Sequence, residues 1–339
     1  VKVFIHIGRA KTGSTAIQKM LFRNTNLLLK HNYVYHHFNR KDSHELALAT
    51  GFGVTKSKRL FSSLKINQTQ IFNHLKTRLD PTKNHIISSE VFSIATTKNA
   101  VETLLGLFTE FEVQIIFYLR NQADQTASAF QQLVKEGYAK SVEIFSNNHK
   151  VDLTKSLGSF LELLSPENFT VRPYDIQYFE NQNLFDDFLK CIELDGLKKI
   201  SKPSKSESNQ SLSKDCIEVL RYCNVKFPNQ TKKFLKELES LKISDIDDLQ
   251  YLPNYRKEEI NKEFSLQIEW LSKKLPGKIS HDFIAVEKEN KPLYEGLEIS
   301  GFSKVFIASL NSNMGKLKKV EQDLENYLNF FNIDEQEEN

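Results

Sequence analysis

The sequence predicts an α/β fold: a central parallel sheet covered by helices on both faces, with a helical C-terminal extension. Three observations predict it. Apolar runs rich in β-branched and aromatic residues occupy residues 3–7, 85–88, 113–119 and 169–172, the make-up of strands buried on both sides. Helical periodicity fills the gaps, notably at residues 123–135 and 157–164, and strands alternating with helices pair in parallel. From Ser211 onward the pattern is helical alone, broken at Pro228, Pro253 and Pro276. Ligands of such a sheet sit beyond the carboxyl ends of its strands.

The first strand stops at a loop, Gly8-Arg9-Ala10-Lys11-Thr12-Gly13-Ser14-Thr15, and Ile17, Met20, Leu21 and Leu28 then recur at helical spacing. Strand, tight loop and helix start therefore follow in order, so backbone N–H groups and a positive helix end converge on an anion. Gly8 and Gly13 have the separation of an NTPase P-loop, but Ser14 stands where that loop needs its lysine, and Lys11 precedes Gly13 instead. A nucleotide kinase or other ATP-using phosphotransferase shares the cradle, yet it should also carry a magnesium-binding aspartate ending a strand, and none is found.

The strand at 85–88 leads to Glu90, which places a carboxylate at the same sheet edge as the loop. The strand at 113–119 ends in Arg120, whose forked donors suit a phosphate dianion. Asn121 is placed to cap the next helix, with Asp124 in its first turn and Ser128 about two turns beyond Arg120.

The run Lys11-Thr12-Gly13-Ser14-Thr15 resembles, position by position, the 5′-phosphosulfate loop of sulfotransferases that use 3′-phosphoadenosine 5′-phosphosulfate (PAPS). Arg120 and Ser128 resemble the pair that holds the 3′-phosphate in the same family. Weaker likenesses to bacterial carbohydrate-type members lie at residues 134–137, 169–175 and 209–213, so the resemblance covers roughly residues 1–225. It implies a single sulfotransferase domain over 1–339, with an α/β nucleotide-binding core at 1–200 and a mainly helical extension at 201–339. The donor would be PAPS, the product 3′,5′-phosphoadenosine, and no metal would be needed. Gly8, Arg9, Lys11, Thr12, Gly13, Ser14 and Thr15 would surround the phosphosulfate, and Arg120 and Ser128 the 3′-phosphate. The acceptor would be a hydroxyl compound, a saccharide by family likeness.

Two bases compete for the acceptor proton. Polysaccharide- and tyrosine-modifying members often use a glutamate near the position of Glu90. His44 is the rival, in a segment where members keep substrate-facing histidines, and an imidazole is a side chain suited to proton abstraction. Lys11 is the third catalytic candidate, meeting charge on the leaving phosphate. A non-catalytic nucleotide- or sugar-binding protein would keep Arg120 and Ser128 and could dispense with Lys11 or Glu90; both are present.

Composition limits the remaining choices. Lys plus Arg number 46 against 43 Asp plus Glu, a net charge of +3, so no global field draws the chain to nucleic acid or membrane. Cys191, Cys216 and Cys223 are too few for a disulfide framework and suggest a reducing compartment. His36-His37 looks like a metal pair, but neighbours in an extended segment point apart, and no metal is assigned. The chain begins almost in its first strand and lacks a run of about 18 apolar residues, so it is expected to be soluble and cytoplasmic. The oligomeric state is left open. Residues 33–55 read as a variable loop that shapes the acceptor pocket. Lys198, Lys199, Lys202 and Lys205 lie in a basic loop, read either as a solvated linker or as a flap over the 3′-phosphate. A last helix is expected at 316–331 and a frayed acidic end at 334–338.

Overall fold

The computed structural model describes residues 1–9, 11–38, 40–53, 67–94, 96–149, 152–197, 199–203, 212–241, 243, 249–279, 291–294 and 305. The expected helix at 316–331, the acidic end, and most of the 209–213 segment lie outside the described residues, as do Lys198 and Lys205. The strands are β1 (Lys2–Ile7), β2 (Tyr33–Tyr35), β3 (Asn84–Ser89), β4 (Glu112–Leu119) and β5 (Phe169–Pro173). The helices, in chain order, are α1 (Ser14–Arg23), α2 (Thr25–Lys30), α3 (His44–Ala49), α4 (Gln68–Lys76), α5 (Lys98–Leu105) and α6 (Gln122–Lys135). They continue with α7 (Val142–Asn148), α8 (Leu153–Leu163), α9 (Leu184–Cys191), α10 (Lys214–Lys226), α11 (Thr231–Ser240) and α12 (Asn254–Lys274).

All four expected strands form, and the sheet is parallel throughout in the order β2-β3-β1-β4-β5. The fifth strand, β2, was not expected. It lies inside the segment read as a variable loop and pairs Tyr33, Val34 and Tyr35 with Asn84, His85 and Ile86. Alternation along the strands supplies both faces of the core. Val3, Ile5 and Ile7 of β1 join Ile115, Phe117 and Leu119 of β4 on one face, under α3, α5, α8 and α12. Phe4, Ile86, Ile116 and Tyr118 face the other way and meet Ile17, Met20 and Leu21 of α1 and Phe188 of α9. Ile5 and Phe117 are fully buried, so truncating either to alanine costs about 2–5 kcal/mol.

The described contacts fall into two compact units. The first comprises residues 1–129, 149–209 and 254–289 and holds the whole sheet. Pro253 precedes α12, whose Ile260, Phe264, Ile268 and Leu271 are buried within this unit's core. The second comprises residues 130–148, 210–253 and 290–339. There Phe130 packs edge-on against Tyr138 and Tyr251, and the Asn224 amide donates to the carbonyls of Val134 (2.8 Å) and Tyr138 (3.1 Å). Gly137, just past the end of α6, has φ 109°, the left-handed turn that ends a helix without strain only at glycine.

Candidate active site

β1 is the central strand, and its carboxyl end delivers the glycine loop to the middle of the sheet edge. Gly8 N–H donates to Ser89 O at 3.1 Å, which ties the loop to the end of β3. A Cβ on Gly8 would lie 2.6 Å from Ser14 Oγ and 3.0 Å from Glu90 Cγ, so only glycine lets the loop pass between them. The loop then winds around the carbonyl of Arg9, which accepts from Thr12 N–H (3.2 Å) and Thr12 Oγ1–H (2.7 Å). Lys11 (φ 67°) and Gly13 (φ 72°) are both left-handed. A side chain at Gly13 would also meet Leu184 at 2.5 Å and the Tyr174 ring at 3.0 Å. Lys11 holds a conformation unusual for a residue with a Cβ, costing on the order of 1–2 kcal/mol.

Helix α1 starts at Ser14 without a side-chain cap from Gly13 and without an acidic residue in its first turn. Its positive end is therefore not neutralised by the helix's own first residues. Arg120, at the end of β4, donates from Nη1 to the Lys11 carbonyl at 2.7 Å across 109 residues of sequence. Its guanidinium lies 5.5 Å from the Tyr174 ring centroid. Asn121 caps α6 as expected, accepting from the N–H groups of Ala123 (3.0 Å) and Asp124 (3.2 Å). Ser128 is half-buried on α6, in the same unit as Arg120.

Arg9 was expected at the site only as a member of the loop. Its guanidinium is buried, donates from Nη2 to Gln122 Oε1 at 3.1 Å and lies over the Phe264 ring. Nη1 is buried without a hydrogen-bond partner, and burial pulls the group down to about 9. A buried cation with an orphaned donor is a costly arrangement in the absence of an anion.

The other side of the loop carries the two candidate bases. Burial pushes the Glu90 carboxyl up from the usual carboxylate range, and the charges of His44 and Lys11 pull it part of the way back. Glu90 thus lies within electrostatic reach of both. His44 opens α3, with Nδ1 2.9 Å from Asp42 Oδ1 and 3.2 Å from Ser89 Oγ. The same Asp42 oxygen accepts the His44 N–H at 3.1 Å. Burial raises the Asp42 carboxyl, but the hydrogen bond and charge of His44 outweigh it, so Asp42 stays below its ordinary value. An imidazole held through Nδ1 by a carboxylate keeps Nε2 as its proton acceptor. Asp42 was missed in the sequence, although its spacing, two residues before His44, is the pattern that could have found it.

Beneath the loop, His6 Nδ1 lies 2.8 Å from Ser88 Oγ, which accepts from Gln18 Nε2 at 3.4 Å. This chain ties β1, β3 and α1 together under the glycines. His36 and His37 do point apart: His36 Nε2 lies 2.9 Å from His85 Nδ1, and His37 packs edge-on against Phe22. Among the described residues no group of three or more His, Cys, Asp or Glu is arranged to hold a metal, and no helix is long and apolar enough to cross a membrane.

No family model matches the chain, and no curated protein matches it. Among solved structures, a sulfotransferase from Alicyclobacillus acidocaldarius is 16% identical, with a TM-score of 0.35 over 72% of this chain and 96% of that one. A sulfotransferase domain from the curacin biosynthetic pathway is 14% identical, with a TM-score of 0.35 over 78% of this chain and 96% of that one. Likenesses this distant carry no argument about function, so the reading that follows rests on the site itself.

Proposed function

We propose that this chain is a sulfotransferase that moves a sulfuryl group from PAPS to the hydroxyl of an acceptor, a saccharide. One observation carries the reading: the Arg120 guanidinium bonds the Lys11 carbonyl at 2.7 Å, so the two motifs that resemble the donor site meet at one point of the sheet edge. The residues fit such a donor. Arg9 Nη1 is a buried cationic donor without a partner, and α1 presents an uncapped N-terminus beside Lys11. Arg120 beside the Tyr174 ring suits a 3′-phosphate next to an aromatic base, with Ser128 as the further hydroxyl expected there.

In the proposed reaction the acceptor oxygen bonds to sulfur as the sulfur–oxygen bond to the 5′-phosphate breaks, leaving 3′,5′-phosphoadenosine. The protein's part is positioning and charge. Lys11 meets the charge developing on the bridging oxygen, while the amides and hydroxyls of Ser14 and Thr15 hold the 5′-phosphate. His44 takes the acceptor proton at Nε2, because Asp42 fixes its Nδ1. Glu90, between Lys11 and His44 in its electrostatics, offsets the positive charge that forms on the imidazole.

The test is thermal stability with 3′,5′-phosphoadenosine, adenosine 5′-monophosphate and ATP. A ligand at a hundredfold excess over its Kd adds about 2.7 kcal/mol, and the 3′-phosphate compound is expected to give the largest shift. Arg120→Ala should abolish that preference. Equal shifts from all three nucleotides, or an unchanged preference in the variant, would remove the basis of the proposal.

A further inference from the structure

The segment between β5 and α9, residues 174–183, lies directly on the glycine loop. A Cβ at Gly13 would come within 3.1 Å of the Tyr174 hydroxyl oxygen as well as meeting its ring, and it would also strike Leu184, the first residue of α9. The Arg120 guanidinium, which bonds the loop at the Lys11 carbonyl, lies over the same Tyr174 ring. The segment bends through two consecutive left-handed residues that are not glycine, Asn181 (φ 50°) and Gln182 (φ 52°), a conformation that persists only where its surroundings hold it. The group that holds it is Asp187 of α9, which is fully buried. Its carboxylate accepts from Tyr118 Oη–H (2.8 Å), from Arg172 Nε (3.3 Å) and Nη2, and from the Glu180 N–H (3.1 Å). Arg172 Nη2 donates in turn to the Tyr178 carbonyl at 2.9 Å. The ion pair therefore grips the backbone on either side of Phe179.

Phe179 passes that grip to the site. Its ring meets Tyr118 edge-on at 6.3 Å and Tyr174 at 5.5 Å, and Tyr118 and Tyr174 meet edge-on at 6.4 Å. Aromatic pairs favour this arrangement, so two rings anchored by the ion pair set the third. A buried ion pair adds little net stability over well-packed apolar side chains, and the fold alone does not call for a carboxylate here. We propose that Asp187 is a positioning residue of the donor site: by holding Tyr118 and the backbone around Phe179 it fixes the Tyr174 ring against Arg120 and Gly13, and so sets how tightly an adenine nucleotide with a 3′-phosphate is bound. It acts only through these groups, because both of its oxygens are already engaged by protein donors. The inference rests on the reading of this sheet edge as the place of that nucleotide.

Calorimetry on the full chain measures the Kd of 3′,5′-phosphoadenosine in a double-variant cycle of Asp187→Asn and Tyr174→Ala. Each single variant is expected to weaken binding about tenfold, the scale of one aromatic contact, and the combination to weaken it no further than Tyr174→Ala alone. A residue that only stabilised the fold would not have its effect on the ligand cancelled by removing one ring. Wild-type affinity in Asp187→Asn, or an effect of Asp187→Asn that persists in full beside Tyr174→Ala, overturns the inference. Removing one partner of a buried pair leaves the other charged and unpaired, so if Asp187→Asn does not fold, Tyr118→Phe/Arg172→Met/Asp187→Leu, which removes the whole polar cluster at once, goes through the same cycle. Failure of both to fold makes the cluster structural and likewise overturns the inference. A wild-type chain that does not bind phosphoadenosine at all overturns the sulfotransferase reading and the inference with it, whereas wild-type binding with any of the other adverse results removes the inference alone.

Discussion

Acid should loosen the floor of the site through His6, and the size of the effect follows from its surroundings. The ring is fully buried between β1 and α9, is hydrogen-bonded at Nδ1 to Ser88 Oγ, and leaves Nε2 buried without a partner. Burial holds the imidazole neutral and lowers it to about 3, whereas in the unfolded chain it titrates near 6.5. The folded form therefore binds fewer protons than the unfolded form between those values. The stability linked to His6 is complete above about pH 6.5 and is lost as the pH falls toward about 3. Between about pH 7 and 5 the loss from this one residue is about 2 kcal/mol. His36, also held low chiefly by burial, adds to the loss in the wild-type chain, so the comparison must be with a variant. His6→Asn removes the titration and keeps a polar group near Ser88. The chain's single tryptophan, Trp270, packs on the core of the unit that contains His6, so urea unfolding followed by its fluorescence reports on the right unit. The variant should lose about 2 kcal/mol less than wild type between the two pH values. If both proteins lose the same amount within about 0.5 kcal/mol, His6 is not buried neutral and the argument fails.

Two further outcomes concern the chemistry. Lys11→Ala should lower turnover by about 10²- to 10³-fold while the phosphoadenosine shift persists, because its charge is asked to meet the transition state; steady-state rates beside thermal shifts check this. His44→Ala should cost roughly 10²- to 10⁴-fold in rate, with Asp42→Asn next and Glu90→Gln least. The reverse ranking would return the base to Glu90. Glu90→Gln should also stabilise the protein above about pH 4.5, since burial raises the wild-type carboxyl and its ionisation opposes folding there. That gain should vanish in more acidic solution.

The strands that carry the site were legible because each is a run of apolar residues ending in loop chemistry. Residues 3–7, 85–88, 113–119 and 169–172 all fall within strands, and Asn121 caps α6 as its position implied. β2 was not legible: Tyr33, Val34 and Tyr35 make too short a run to show a period, and they become a strand only through pairing with β3. The strand order likewise depends on which crossovers pack, something local pattern does not encode. Lys11 and Arg120 each carried a signal of their own, but their hydrogen bond exists only because β1 and β4 are neighbours. Asp42 escaped because a carboxylate before a helix reads as an ordinary start signal; its role emerges only when the first turn of α3 brings His44 back onto it. The groove lined by Thr15, Gln18, Phe22 and Asp42 is assembled from α1 and the segment beyond β2, two stretches with no shared motif.

The outermost strands bear on how the protein behaves when crowded. A parallel sheet has two open margins, and a long flat margin templates the chains of other molecules into aggregates. Among the described residues one margin is β2, only three residues long, and the other is β5, which ends in Pro173 and lacks an amide hydrogen there. Neither offers an extended ladder for a foreign strand to join. Lengthening β2, by replacing the polar residues after Tyr35 with β-branched ones, would therefore be a poor route to a more stable protein: any gain in pairing would come with a margin on which copies could stack.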